Sequence, residues 1–169
     1  MGPIRMKKRL APFLLLFLPA LAFTQTAAEM DVLLQTDAVS VSAAARFIMG
    51  SAGMLPLELS GAAAETAAYK EAQARGWVKK GPEDAITLQD TAFLLMRVFE
   101  IKGGLLYSIF RSPRYAYREM IYRRLIQGRA YSNMKVSGQR FLQIVGNTLN
   151  YTGEMEEMDE LLKNSEANN

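Results

Sequence analysis

Nine basic side chains crowd residues 102–140: Lys102, Arg111, Arg114, Arg118, Arg123, Arg124, Arg129, Lys135 and Arg140, against the single acid Glu119. Tyr107, Phe110, Tyr115, Tyr117, Tyr122 and Tyr131 are interleaved with them. A guanidinium is a rigid fork of donors that matches carboxylate and phosphate groups, and a tyrosine ring offers a flat face to a sugar. On a helix opening at Pro113, the residues Arg114, Arg118 and Tyr122 follow at four-residue steps and share a face, with Arg111 and Tyr115 beside its start. The chemistry this suits is recognition of an anionic glycan or an acidic protein surface. Arg111, Arg114, Arg118 and Arg124 would supply charge-assisted hydrogen bonds, and Tyr115 and Tyr122 stacking area. A plainer reading has the arginines solvating one face while the tyrosines bury their rings. Another folds the acidic tail, with Glu154, Glu156, Glu157, Asp159 and Glu160, back onto the basic stretch.

Other chemistries find less support. The chain has no histidine and no cysteine, which removes the commonest general base, the commonest metal ligand and any disulfide. Glu65, Glu71, Asp90, Glu100 and Glu119 lie on expected helices without a motif that would pair two of them for hydrolysis, so a wall-degrading hydrolase is the third-ranked reading. No acidic run has calcium-loop spacing, and Lys102-Gly103-Gly104 lacks the ending of a phosphate loop. The expectation is a non-enzymatic protein with no cofactor and no metal. Trp77 reads as the anchor of a helix turn, and Met49, Met96, Met120 and Met134 as core filler.

The N-terminus points outside the cytosol. Arg5, Lys7, Lys8 and Arg9 precede an uncharged run of fourteen residues, 10–23, and Ala20-Leu21-Ala22 places small residues where a signal peptidase cuts. Such a segment is short for a bilayer span. We expect a cleaved leader over residues 1–22, with a second possible cut after Ala28, and a periplasmic or cell-surface protein with no integral span after cleavage. Those four cations are a fifth of the twenty in the chain. Their removal leaves sixteen basic against seventeen acidic residues, so the basic full-length balance is a targeting feature and nucleic acid is not the expected partner.

The elements that must carry these residues read as helices throughout, since no stretch alternates with period two. Ser40 or Ser42 caps a first helix with Val41, Ala45, Ile48, Met49 and Ala52 on one face. Residues 62–75, rich in alanine, form a second, stopped at Gly76. Thr87 caps a third, with Asp90 three residues on and a stripe of Leu88, Ala92, Leu95, Met96 and Phe99. Pro113 opens a fourth that is expected to reach Gln127 and stop at Gly128. Ser137 caps a fifth with Phe141, Ile144, Val145 and Leu149 inward. A short helix over residues 154–162 and a frayed end are expected beyond it.

Two stretches resemble each other. Ala68-Tyr69-Lys70-Glu71 matches Ala116-Tyr117-Arg118-Glu119, Trp77-Val78 matches Leu125-Ile126, and after a two-residue slip Ile86-Thr87 matches Val136-Ser137. Asp37-Ala38-Val39-Ser40 likewise resembles Asp84-Ala85-Ile86-Thr87. A period of about 50 residues marks stacked supersecondary units. The reading is an all-α bundle of about five helices built from two and a half helix-loop-helix units. Its layout is a leader at 23–36, a half unit at 37–53, units at 54–103 and 104–151, and an acidic tail at 152–169.

A helix, a glycine with a large apolar residue, a loop, then Ile-Thr or Val-Ser opening a second helix: Gly76-Trp77, Ile86-Thr87, Leu125-Ile126 and Val136-Ser137 resemble the S-layer homology module. The resemblance covers about residues 57–151 and implies non-covalent binding to a cell-envelope glycan, or a module kept as scaffold. The family's Thr-Arg-Ala-Glu stands here as Thr87-Leu88-Gln89-Asp90 and Ser137-Gly138-Gln139-Arg140. The arginine that the family turns toward its wall polymer is therefore replaced in both units. The runner-up is a structural or assembly factor whose grooves take a partner helix. The sequence leaves the oligomeric state open.

Overall fold

The computed structural model describes residues 29–128 and 130–167. The expected signal segment, the second cleavage position at Ala28 and Arg129 lie outside the described residues. The chain divides into two compact units, Met1–Val32 and Leu33–Asn169. Of the first only residues 29–32 are described, and they are helical; the fold and the candidate site belong to the second.

The fold is all-α, with no strand among the described residues. Its helices are α1 (29–34 as described), α2 (Val41–Ser51), α3 (Gly61–Ala74), α4 (Leu88–Val98), α5 (Leu105–Phe110), α6 (Pro113–Tyr122) and α7 (Gly138–Ala167). Among the described residues seven helical segments therefore stand where about five were expected. The surplus is short: α1 and α5 each show six residues. The expected short C-terminal helix also merges into α7, because Gly146 and Gly153 sit within it without interrupting it and an isolated helical glycine costs only about 1 kcal/mol.

Local sequence explains most boundaries. Ser40 caps α2, its hydroxyl accepting from the Ala43 N–H at 3.2 Å. After α3, Gly76 takes a left-handed φ of 69° and the Trp77 N–H closes on the Ala72 carbonyl at 2.8 Å. At α4 the capping box is incomplete: the Thr87 hydroxyl donates to the Asp90 carboxylate at 2.6 Å, and it makes no bond to a backbone N–H. Asp90 also holds Lys80 at 2.8 Å, so it ties the loop down where a box would have closed the helix end. One boundary differs from expectation. α6 stops at Tyr122 and not near Gln127, because Arg124 goes left-handed with φ 59° and the Leu125 N–H closes on the Met120 carbonyl at 2.9 Å.

Three extended segments just ahead of α2, α4 and α7 meet in the core through a closed cycle of backbone hydrogen bonds. The Val39 N–H donates to the Val136 carbonyl (2.9 Å), Val136 to Ile86 (3.2 Å), and Ile86 to Val39 (2.8 Å). All three side chains are fully buried. Flanking bonds extend the pattern: Val41 to Asp84, Leu88 to Met134, and Gly138 to Thr36. A buried loop must satisfy its own backbone, and these segments do so with one another. Gly138 begins α7 because the Leu33 carbonyl passes so close that any Cβ would overlap it.

Helix packing then follows an order the sequence does not announce. α2 packs on α3 and α4, α4 on α6 and α7, and α5 on α6. Thus α3 and α6 lean on the helix of the preceding expected unit. The core is built from Val41, Ile48 and Met49 of α2, Leu88, Leu94, Leu95 and Met96 of α4, Met120 of α6 and Phe141 and Ile144 of α7. The expected α4 stripe is buried apart from the half-buried Phe99, whereas Leu149 on α7 is exposed.

Matched contacts recur around α3 and α6. The Tyr69 hydroxyl donates to the Lys80 carbonyl at 2.9 Å, and the Tyr117 hydroxyl to the Ala130 carbonyl at 3.0 Å. Glu71 pairs with Arg75 at 2.6 Å, and Glu119 with Arg123 at 2.8 Å.

Candidate functional site

α6 positions the expected site. Ala116 and Met120 are fully buried and fix which side of the helix faces in. Arg114, Arg118 and Tyr122 project from another side, within an arc of about 80° on an ideal helix, and all three are exposed. Tyr122 is 84% exposed. Arg111 lies just ahead of α6, exposed, with a left-handed φ of 38° that ends α5. Arg124 lies just past α6, exposed, with its own left-handed φ. Tyr115 is half-buried, its ring stacked on Phe110 with centroids 5.2 Å apart and planes 20° from parallel. The structure thus gathers Arg114, Arg118 and Tyr122 on one helix, brackets them with Arg111 and Arg124, and leaves Tyr115 already in contact along one ring face.

None of these arginine side chains makes a hydrogen bond or ion pair among the described residues. The tail acids Glu154, Glu156, Glu157, Asp159 and Glu160 are exposed on α7, and none of them pairs with the basic face. Two other aromatics of the stretch have structural work, while Tyr131 is exposed. Tyr107 is buried, and Tyr117 bonds the Ala130 carbonyl.

Arg123, counted with the basic run, is a brace. Its Nε meets Glu119 at 2.8 Å, one terminal nitrogen donates to the Lys102 carbonyl at 2.5 Å, and the other donates to the Tyr151 hydroxyl. Glu119 in turn accepts from the Gly104 N–H at 3.0 Å, which joins α5 and α6 at one charged cluster. Only the fold could separate Arg123 from its neighbour Arg124.

The residues after the expected caps Thr87 and Ser137 are closed to a ligand. Leu88 is fully buried, and Gly138 abuts the Leu33 backbone. The expected carboxylates are engaged locally: Glu65 accepts from Ser42, Glu71 pairs with Arg75, Asp90 with Lys80, and Glu119 with Arg123. Glu100 is exposed in left-handed backbone. Among the described residues no group of three or more carboxylate, histidine or cysteine side chains is placed to hold a metal.

Sequence reasoning missed a second polar cluster around Arg97. Arg75 and Arg97 place their guanidiniums 4.9 and 5.9 Å from the Trp77 ring centroid. Among the described residues Trp77 Nε1, Arg97 Nε and the Tyr107 hydroxyl are buried without a well-formed hydrogen bond, although the Arg97 guanidinium lies close to that hydroxyl. Burial raises the Tyr107 phenol above its ordinary range, and the nearby Arg97 and Arg111 guanidiniums pull it partly back. No local pattern marks this cluster, because its members come from three separate segments.

Among the described residues no helix is long and apolar enough to cross a membrane. No family model, curated protein or solved structure matches the chain.

Proposed function

We propose that the chain is an exported, non-enzymatic cell-envelope protein that holds an anionic cell-wall polymer, or the acidic surface of an envelope partner, through Arg111, Arg114, Tyr115, Arg118, Tyr122 and Arg124. One observation carries the reading. Four arginines of this face are exposed with no side-chain hydrogen bond or ion pair among the described residues, and two of them sit in left-handed backbone. A side chain other than glycine pays about 1–2 kcal/mol there, and such strain points to a use for the side chain.

The matched tyrosine and ion-pair contacts support a duplicated helical unit like the S-layer homology module. In this reading the half unit and the two full units close around the Val39, Ile86 and Val136 cycle. The polymer contact is then moved from the start of the second helix, where Leu88 and Gly138 stand, to the outward side of α6. The leader would be removed on export, at Ala22 or Ala28.

The test is retention on purified sacculi of the parent and the Arg114→Glu/Arg118→Glu variant. Both positions are exposed, so the variant should melt like the parent. Loss of retention is expected, and unchanged retention would overturn polymer binding through this face. A second reading, an assembly factor that takes a partner helix, draws on the exposed Met155, Met158 and Leu161 of α7.

A further inference from the structure

We propose that α5 is a membrane-contact element, laying its outer side into the headgroup region of a bilayer rich in anionic phospholipid. On this six-residue helix, Leu105, Leu106, Ile109 and Phe110 fall within an arc of about 140°, away from Tyr107. They are 76%, 46%, 63% and 57% exposed. Four large apolar side chains side by side on the surface are a recognition feature and not scatter.

The helix is held in this attitude by its surroundings. Tyr107 is buried in the core, and its ring lies so close over Gly103 that a Cβ there would meet it at 2.5 Å. Ser108 bonds back to the Gly103 carbonyl, and the Gly104 N–H is fixed by Glu119. Arg111 closes the far end, its N–H on the Tyr107 carbonyl at 2.8 Å. The apolar side chains are therefore displayed by a braced helix, and their exposure is not that of a loose end.

Charge selects the partner. Lys102 stands just before α5, Arg111 just after it, and Arg114 and Arg118 on α6, all exposed. Of the two acids nearby, Glu119 is neutralised by Arg123, and the exposed Glu100 leaves the four cations in excess. An apolar centre with an uncompensated cationic rim matches a bilayer surface bearing negative headgroups. An apolar protein groove would ask for no such rim. The inference shares Arg111, Arg114 and Arg118 with the wall-polymer reading but does not rest on it, since Leu105, Leu106 and Ile109 take no part in that site.

Vesicle flotation of the full chain tests it, with phosphatidylglycerol–phosphatidylcholine vesicles against phosphatidylcholine alone, comparing the parent with Leu105→Glu/Ile109→Glu. The parent should float with the anionic vesicles and dissociate as salt is raised. The variant should bind at least roughly tenfold more weakly, with an unchanged thermal melt and unchanged retention on sacculi. Equal flotation of variant and parent, equal flotation with uncharged vesicles, or no flotation of the parent would each overturn the proposal. A variant that lost only concentration-dependent self-association in sedimentation would overturn it too, making α5 a contact between copies of the chain.

Discussion

Arg124 holds the left-handed backbone position after α6 that Gly76 holds after α3, with φ 59° and 69°. In both places the next residue's N–H reaches back five residues, Trp77 to Ala72 and Leu125 to Met120. The turn is the same; the residue type is not. Glycine enters this conformation freely, whereas a Cβ crowds the following carbonyl.

Arg124→Gly should therefore stabilise the fold by about 1 kcal/mol, because it relieves the turn and breaks no side-chain hydrogen bond or ion pair among the described residues. Urea denaturation reads the gain. If Arg124 belongs to the polymer site, sacculus retention should weaken in the same variant.

Gly138 and Gly146 lie on one helix and should respond oppositely to alanine. Gly138→Ala drives a methyl into the Leu33 carbonyl and should cost about 1–3 kcal/mol, as overpacked sites do. Nothing lies within 4 Å of a Cβ at Gly146, so Gly146→Ala should gain about 0.5–1 kcal/mol from helix propensity. Melting both variants beside the parent decides it.

Arg123 links Glu119, the Lys102 carbonyl and Tyr151. Arg123→Ala should cost about 1–3 kcal/mol, since it leaves the largely buried Glu119 carboxylate without its charge partner. A double-mutant cycle with Tyr151→Phe should show coupling, because the guanidinium also lies 5.2 Å over that ring. Additive effects would contradict the brace.

Tyr107 sets the alkaline behaviour. Its folded pKa is raised above the ordinary 10.0, so above pH 10.0 the unfolded chain gives up the phenolic proton before the folded one does. The stability it contributes is complete below pH 10.0 and is lost as pH rises through the higher folded value. Tyr107→Phe should remove this part of the alkaline loss. It should be neutral or stabilising by about 1 kcal/mol at pH 7, because the hydroxyl is buried without a well-formed hydrogen bond. Chemical denaturation at pH 7 and above pH 10 separates the two.

Local chemistry in the sequence sufficed for much of this molecule. It determined the all-α class, the Ser40 and Gly76 boundaries, the inward stripes of α2 and α4, and the four-residue spacing that exposes Arg114, Arg118 and Tyr122 together. Those features depend on helical period, capping and burial, which act within a few neighbouring residues. The tertiary structure alone decided that Arg123 is a brace while Arg124 makes no side-chain bond among the described residues, since that depends on where Lys102 and Tyr151 arrive. It likewise decided the cycle through Val39, Ile86 and Val136, the pairing of α6 with α4, and the gathering of Arg97 with the buried Trp77 and Tyr107. Each joins residues far apart along the chain, and the backbone bonds and buried surface that hold them exist only once the chain has closed.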